Sequence, residues 1–132
     1  MAIFLDASYL LALYNESDVH HKRAVKLAER IDANEYGQAI TSDDIFDEVV
    51  SVTLRKFGKE KAQNLVKQIL DSIFIVLGDR HLFDNAFGIF NDSKDPFSFT
   101  DCMSRAIMDL AQIRRIATFD RLFEKLDVDV VN

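Results

Sequence analysis

The sequence predicts an α/β fold, with a short central parallel sheet flanked by helices on both faces. Three observations predict it. The apolar runs that read as strands are short and mostly do not alternate with polar residues, as in strands covered on both sides. One or two segments of helical apolar spacing separate most of them. Four Gly and one Pro in 132 residues leave little material for long loops.

In chain order, residues 2–6 read as a buried strand that stops on Asp6, and a short helix follows over about Ser8–Tyr14. From Asp18 to about Ala33, Val19, Ala24, Leu27, Ala28 and Ile31 recur at helical spacing. "QAIT", 38–41, is a strand. Ser42 then offers an N-cap, with Asp43 and Asp44 in the first turn, where negative charge favours a helix start. That helix runs to Phe57 and ends at Gly58, and the next covers about Lys59–Asp71. "IFIVL", 73–77, is the strongest strand, β-branched and apolar throughout. Residues 79–92 are helical with an aromatic face, and a polar loop over about Ser93–Ser98 carries the only proline. Thr100 is expected to cap a helix reaching about Arg114, whose last charges, Arg114 and Arg115, suit its C-terminus. "IAT", 116–118, is a strand, "DRLFEK" one helical turn, and "VDVV", 128–131, the last strand.

Residues 1–132 are read as a single domain, since 48% hydrophobic residues suffice for one core and neither a linker nor an internal repeat interrupts them. No apolar run approaches a membrane span of roughly 20 residues, and the first residues lack a signal peptide's pattern, so a cytoplasmic location is expected. One cysteine, Cys102, excludes an internal disulfide. A net charge of −6 argues against a general nucleic-acid coat protein, though not against a nuclease whose excess acids surround a metal.

Ligand sites in open parallel sheets form outside the carboxyl ends of the strands. Four acids map there: Asp6 at the end of the first strand, Glu48 in the helix after "QAIT", Asp101 at a helix start, and Asp120 after "IAT". Each has an ordinary reading. Asp6 and Asp120 suit helix caps, Asp101 suits the helix dipole or a pair with Arg105, and Glu48 suits a solvated face. Four like charges at one sheet edge, however, are costly without a cation, and Mg²⁺ or Mn²⁺ is the usual remedy. Ser8, Ser42 and Thr118 are candidates for supporting hydrogen bonds, against capping for the serines and strand propensity for the threonine.

"FLDAS", "TSDDIFDEVVS", "SFTDCMSRAI" and "IATFDRLF" together resemble the four motifs of PIN domains, most closely VapC-type toxin ribonucleases. The likeness spans nearly the whole chain. It implies a PIN-like fold and metal-dependent hydrolysis of RNA phosphodiesters; a metal-activated water attacking in line is expected to leave a 5′-phosphate and a 3′-hydroxyl. It assigns Asp6, Glu48, Asp101 and Asp120 to one or two Mg²⁺ or Mn²⁺ ions or their water, with Ser8 supporting. It also implies a cognate antitoxin and a homodimer. The aromatic-rich stretch 81–97 departs from the family pattern.

Within that chemistry, Asp6 and Asp101 are expected to hold the metal, with Glu48 or Asp120 orienting water. Arg105, Arg121, Arg55 and Lys59 are the candidate RNA contacts. His20, His21 and His81 read as surface residues, which disfavours cleavage through the 2′-hydroxyl. An RNA-processing nuclease would use the same site. Aspartyl phosphotransfer is a rival class, but its phosphatase pattern wants an Asp where Ser8 stands. A non-enzymatic module would be signalled by a missing acid, and none is missing.

Overall fold

Ile3, Phe4 and Leu5 are almost wholly removed from solvent, as a strand flanked by neighbours and covered on both faces must be. They belong to β1, Ala2–Leu5, in a computed structural model that describes residues 1–132. Then follow α1 (Ala7–Tyr14), α2 (His21–Asp32), β2 (Gln38–Ser42), α3 (Asp43–Phe57), α4 (Lys59–Ser72) and β3 (Phe74–Val76). The second half contains α5 (Arg80–Asp92), α6 (Phe99–Ala111), β4 (Arg115–Ala117), a 3₁₀ turn over Arg121–Lys125, and β5 (Asp129–Val131).

All strand pairs are parallel, in the order β3-β2-β1-β4-β5, with Phe4 between Ile40 and Ile116. The chain therefore walks outward from β1 through β2 to β3, then returns across the sheet to lay β4 on the other side of β1. Right-handed crossovers place α1–α4 on one face and α5–α6 on the other. The order reverses between β1 and β4, and the crevice beyond their carboxyl ends is where this topology opens a site.

One cluster of 27 buried residues draws on every helix and the three inner strands, while Ile75 and Val76 of β3 and Val130 and Val131 of β5 pack against it only partly buried. This corrects the reading of "IFIVL". It lies at the sheet edge, where Phe74 is 55% and Leu77 72% exposed, because strand content does not reveal strand order.

Local competition explains the other differences. α2 starts at His21, not Asp18, since the Asp18 carboxylate accepts the His20 N–H and holds a turn; Val19 is consequently exposed. Ser98, not Thr100, caps α6, because it can form a reciprocal pair with Asp101 three residues on. That helix ends at Ala111, with Gln112 at φ 55°. Arg114 therefore lies beyond it and pairs with Asp127 at 3.4 Å, while the Arg115 guanidinium lies 5.9 Å from the Tyr36 ring centre. Neither serves a helix end as expected. No helix is long and apolar enough to cross a membrane.

Candidate functional site

Asp6 stands at the N-cap position of α1, but its carboxylate caps nothing. Its Oδ2 accepts hydrogen bonds from Thr118 Oγ1 at 2.7 Å and Ser8 Oγ at 3.0 Å. Each hydroxyl has one proton and spends it on Asp6. Each then accepts a backbone N–H: Ser8 Oγ from Phe119 at 3.0 Å, Thr118 Oγ1 from Asp120 at 3.0 Å. The two hydroxyl oxygens also lie 3.1 Å from each other, and the network ties the end of β1 to the loop after β4. Burial pushes the Asp6 carboxyl above the usual aspartate range. The two hydroxyls and the Ala7 N–H oppose that rise, and the charge of Asp101 adds to it.

Asp101 comes to the same place from α6. Its Oδ2 accepts the Ser98 N–H at 3.0 Å while Ser98 Oγ accepts the Asp101 N–H at 3.1 Å. The other carboxylate oxygen makes no hydrogen bond. Partial burial raises its pKa first; the Ser98 bonds pull it down, and Asp120 pushes it up. Asp120 is exposed and caps the 3₁₀ turn, with Oδ1 accepting the Leu122 N–H at 2.9 Å and Oδ2 left over. Glu48 is exposed on α3 and enters no ion pair.

All four line one cleft of about 650 Å³, with Ser8, Ser98 and Thr100 in its wall. A fifth carboxylate joins them. The sequence assigns Asp44 only to the helix dipole, yet it faces the cleft, its pKa raised by burial and then by Asp43 and Asp47. The signal was present: Asp44 precedes Glu48 by four residues and so shares its helix face. No lysine, arginine or histidine lines the cleft. Asp43 faces elsewhere, its carboxylate accepting the Gly78 N–H at 3.2 Å.

The donor set suits a hard divalent cation: five carboxylates, with nothing basic to neutralise them. No three acids, histidines or cysteines converge into a closed cage.

The remaining candidates divide. Ser8 and Thr118 support Asp6, as described. Ser42 is fully buried, accepts the Ile45 N–H at 3.1 Å and lies outside the cleft lining, so it is a helix cap. Arg105 bonds Asp109 at 2.9 Å rather than Asp101, and faces a separate depression. Arg121 follows Asp120 and is mostly exposed; Arg55 and Lys59 are exposed, and none of the three lines the cleft. His20 and His21 are half-buried, contrary to the surface reading. The His20 ring stacks on Phe119 at 4.4 Å, and His21 Nδ1 lies 2.8 Å from the Ala12 carbonyl oxygen. Phe119 also lies under the Arg23 guanidinium at 5.3 Å, so the residue between Thr118 and Asp120 is gripped from α2.

A sheet that reverses at β1 and β4, with a carboxylate cleft at that crevice, defines a class, and sequence comparison agrees. The PIN domain model matches residues 3–129, and the chain belongs to the PIN domain family. Among curated proteins it is similar to Ribonuclease VapC1 of Aquifex aeolicus (strain VF5), with 22% identity over 98% of this chain and 88% of that protein. Among solved structures it is similar to Mycobacterium tuberculosis VapC20, described as a sarcin–ricin loop cleaving toxin: TM-score 0.82, 24% identity, 96% of this chain and 98% of the other. It is also similar to VapBC2 of Rickettsia felis, solved bound to a promoter DNA fragment: TM-score 0.71, 12% identity, 100% and 98% coverage. A further likeness is to FitAcB of Neisseria gonorrhoeae, with TM-score 0.69, 17% identity, and 98% and 96% coverage.

Proposed function

We propose that this chain is an endoribonuclease dependent on Mg²⁺ or Mn²⁺, and the toxin of a VapBC-type pair. One observation carries the nuclease reading: five carboxylates share a cleft at the sheet's reversal with no cationic side chain among them. Asp6 and Asp101, each anchored through one oxygen, would hold the ion, with Asp44, Glu48 and Asp120 completing an acidic ring. When bound, a divalent ion lowers the pKa of water and offsets charge on a phosphoryl group.

The chain's own residues supply position. Ser8 and Thr118 hold Asp6 Oδ2 and favour its ionised form. The Ser98–Asp101 box fixes the angle of the second carboxylate. Exposed Glu48 and Asp120 are the groups free to accept a proton from, or orient, an attacking water. A cation would offset the repulsion between a scissile phosphate and an all-acidic cleft, and this supports the metal-dependent reading.

The toxin role is supported by the relatives: VapC1 is named a ribonuclease, VapC20 a toxin, and VapBC2 denotes a two-protein pair. An antitoxin partner follows from that role. A homodimer follows with it, through the stripe Phe83, Phe87 and Phe90 on α5, which are 47%, 58% and 48% exposed. A cytoplasmic location suits a ribosomal or messenger RNA target.

The deciding experiment is RNA cleavage with Mg²⁺ or Mn²⁺, with and without chelator, beside Asp6→Asn and Asp101→Asn. Chelation should abolish cleavage, and each substitution should lower kcat by at least about 100-fold. Activity surviving both treatments would sink the reading.

A further inference from the structure

The acidic cleft does not end at Glu48. Leu11 lines the cleft and also a smaller depression bordered by Val52 and Lys56. Tyr14, Asn15, Thr53 and Phe57 line that depression and also a larger hollow of about 480 Å³, closed by Lys61. The three form one groove between α1 and α3–α4. Its walls follow from helical spacing: Ser8 and Leu11 step along α1 toward Asn15 at its end, and Glu48, Val52 and Lys56 along α3. Lys56 lies eight residues, or ~12 Å, beyond Glu48 along the helix axis.

Charge changes sign along this path. Residues 55–67 hold five of the 16 Lys and Arg (Arg55, Lys56, Lys59, Lys61, Lys67) but only one of the 22 Asp and Glu. None of those five enters an ion pair, whereas six other cations of the chain do. Lys61 instead lies over the Phe57 ring at 5.2 Å. Glu16 and Asp18 stand on the opposite lip, so an anion in the groove is driven toward the lysine wall.

We infer that this groove is the track of the single-stranded RNA flanking the scissile phosphate, with Lys56 and Lys61 as its phosphate contacts and Tyr14 and Phe57 as its stacking faces. The inference rests on the nuclease reading and replaces Arg55 and Lys59, which do not line the groove, with their neighbours. RNA fits better than a protein segment because the groove begins where a phosphate must sit. It continues with unpaired cations beside aromatic rings, the combination that binds single strands without sequence preference.

The test is anisotropy of a labelled single-stranded RNA on the full chain carrying Asp101→Asn, with Mg²⁺ present, plus KM on the cleaving background. Adding Lys56→Gln and Lys61→Gln should raise Kd and KM on the order of tenfold at low salt. It should also reduce the slope of log K against log salt by roughly 1.4, the share of two phosphate contacts on a single strand. Lys26→Gln with Lys94→Gln, the same charge change elsewhere, should do neither. Unchanged Kd and slope in the Lys56/Lys61 variant overturn the track, as does RNA binding that persists while that variant loses a protein partner. Lysine-dependent binding by a wild-type chain that never cleaves RNA would keep the track and overturn the nuclease. Cleavage indifferent to both lysines would do the reverse.

Discussion

Thr118 has one hydroxyl proton, and Asp6 takes it. The same oxygen accepts the Asp120 N–H, so Thr118, fully buried, joins the Asp6 carboxylate to the backbone of Asp120. Thr118→Val keeps the shape and strand propensity but removes donor and acceptor together. Loss of that bond raises the Asp6 pKa further, because the Thr118 hydrogen bond is the largest influence lowering it. Cleavage should fall by about 10- to 100-fold, and its acid limb should move to higher pH, while Thr118→Ser restores both. A pH–rate profile unmoved by Thr118→Val would show the hydroxyl to be merely structural. Asp6, Glu48, Asp101 and Asp120 were legible in the sequence because each follows a recognisable strand or helix start. Ser98 was not, since Ser98 and Thr100 are equally good capping types; only the reciprocal bond with Asp101 separates them. The grip of His20 on Phe119 joins residues 99 positions apart, a pairing that no local pattern contains.

Elements were easier to read than their neighbours in space. Helical periodicity and Gly58 gave α3 and α4 their bounds, yet nothing in "IFIVL" marked it as an edge. Two glycines show how differently element junctions are built. Gly58 has φ 90° and ψ 176°, and a Cβ there would meet nothing within 4 Å. Gly37 has φ 78°, but its Cβ would fall 2.0 Å from the Met1 carbonyl oxygen, which accepts the Gln38 N–H at the start of the β1–β2 ladder. Gly58→Ala should therefore cost ~1–3 kcal/mol of backbone strain. Gly37→Ala should cost a further ~1–3 kcal/mol for the overlap. Urea midpoints at constant m would check the order, and equal costs would contradict it. On α5, Phe87→Glu should change stability by less than ~0.5 kcal/mol yet shift sedimentation from dimer to monomer. A wild-type monomer at high concentration would refute that use of the aromatic face.

At the scale of the molecule, the acids of the cleft oppose one another while the core holds them in place. Burial raises Asp6, Asp44 and Asp101 above the ordinary aspartate value of 3.8, and a neighbouring carboxylate raises each further. The sign follows from proton counting. Between 3.8 and the raised values the folded chain binds more protons than the unfolded chain, so these groups lose stability for the fold as pH rises through that window. A divalent ion binds the ionised carboxylates of the folded state and reverses the effect, by about 2.7 kcal/mol at 100 times its Kd. In chelator, Tm should therefore fall as pH rises above 3.8. Mg²⁺ should raise it by an increment that grows over the same interval. Asp101→Asn should flatten both curves, because the amide oxygen can still accept the Ser98 N–H while the charge is gone. A Mg²⁺ increment independent of pH, or one that Asp101→Asn leaves intact, would place the ion elsewhere on the surface. If the increment behaves as expected, these acids lower stability so long as no ion is bound, and that cost is what makes the cleft a strong ligand for a cation.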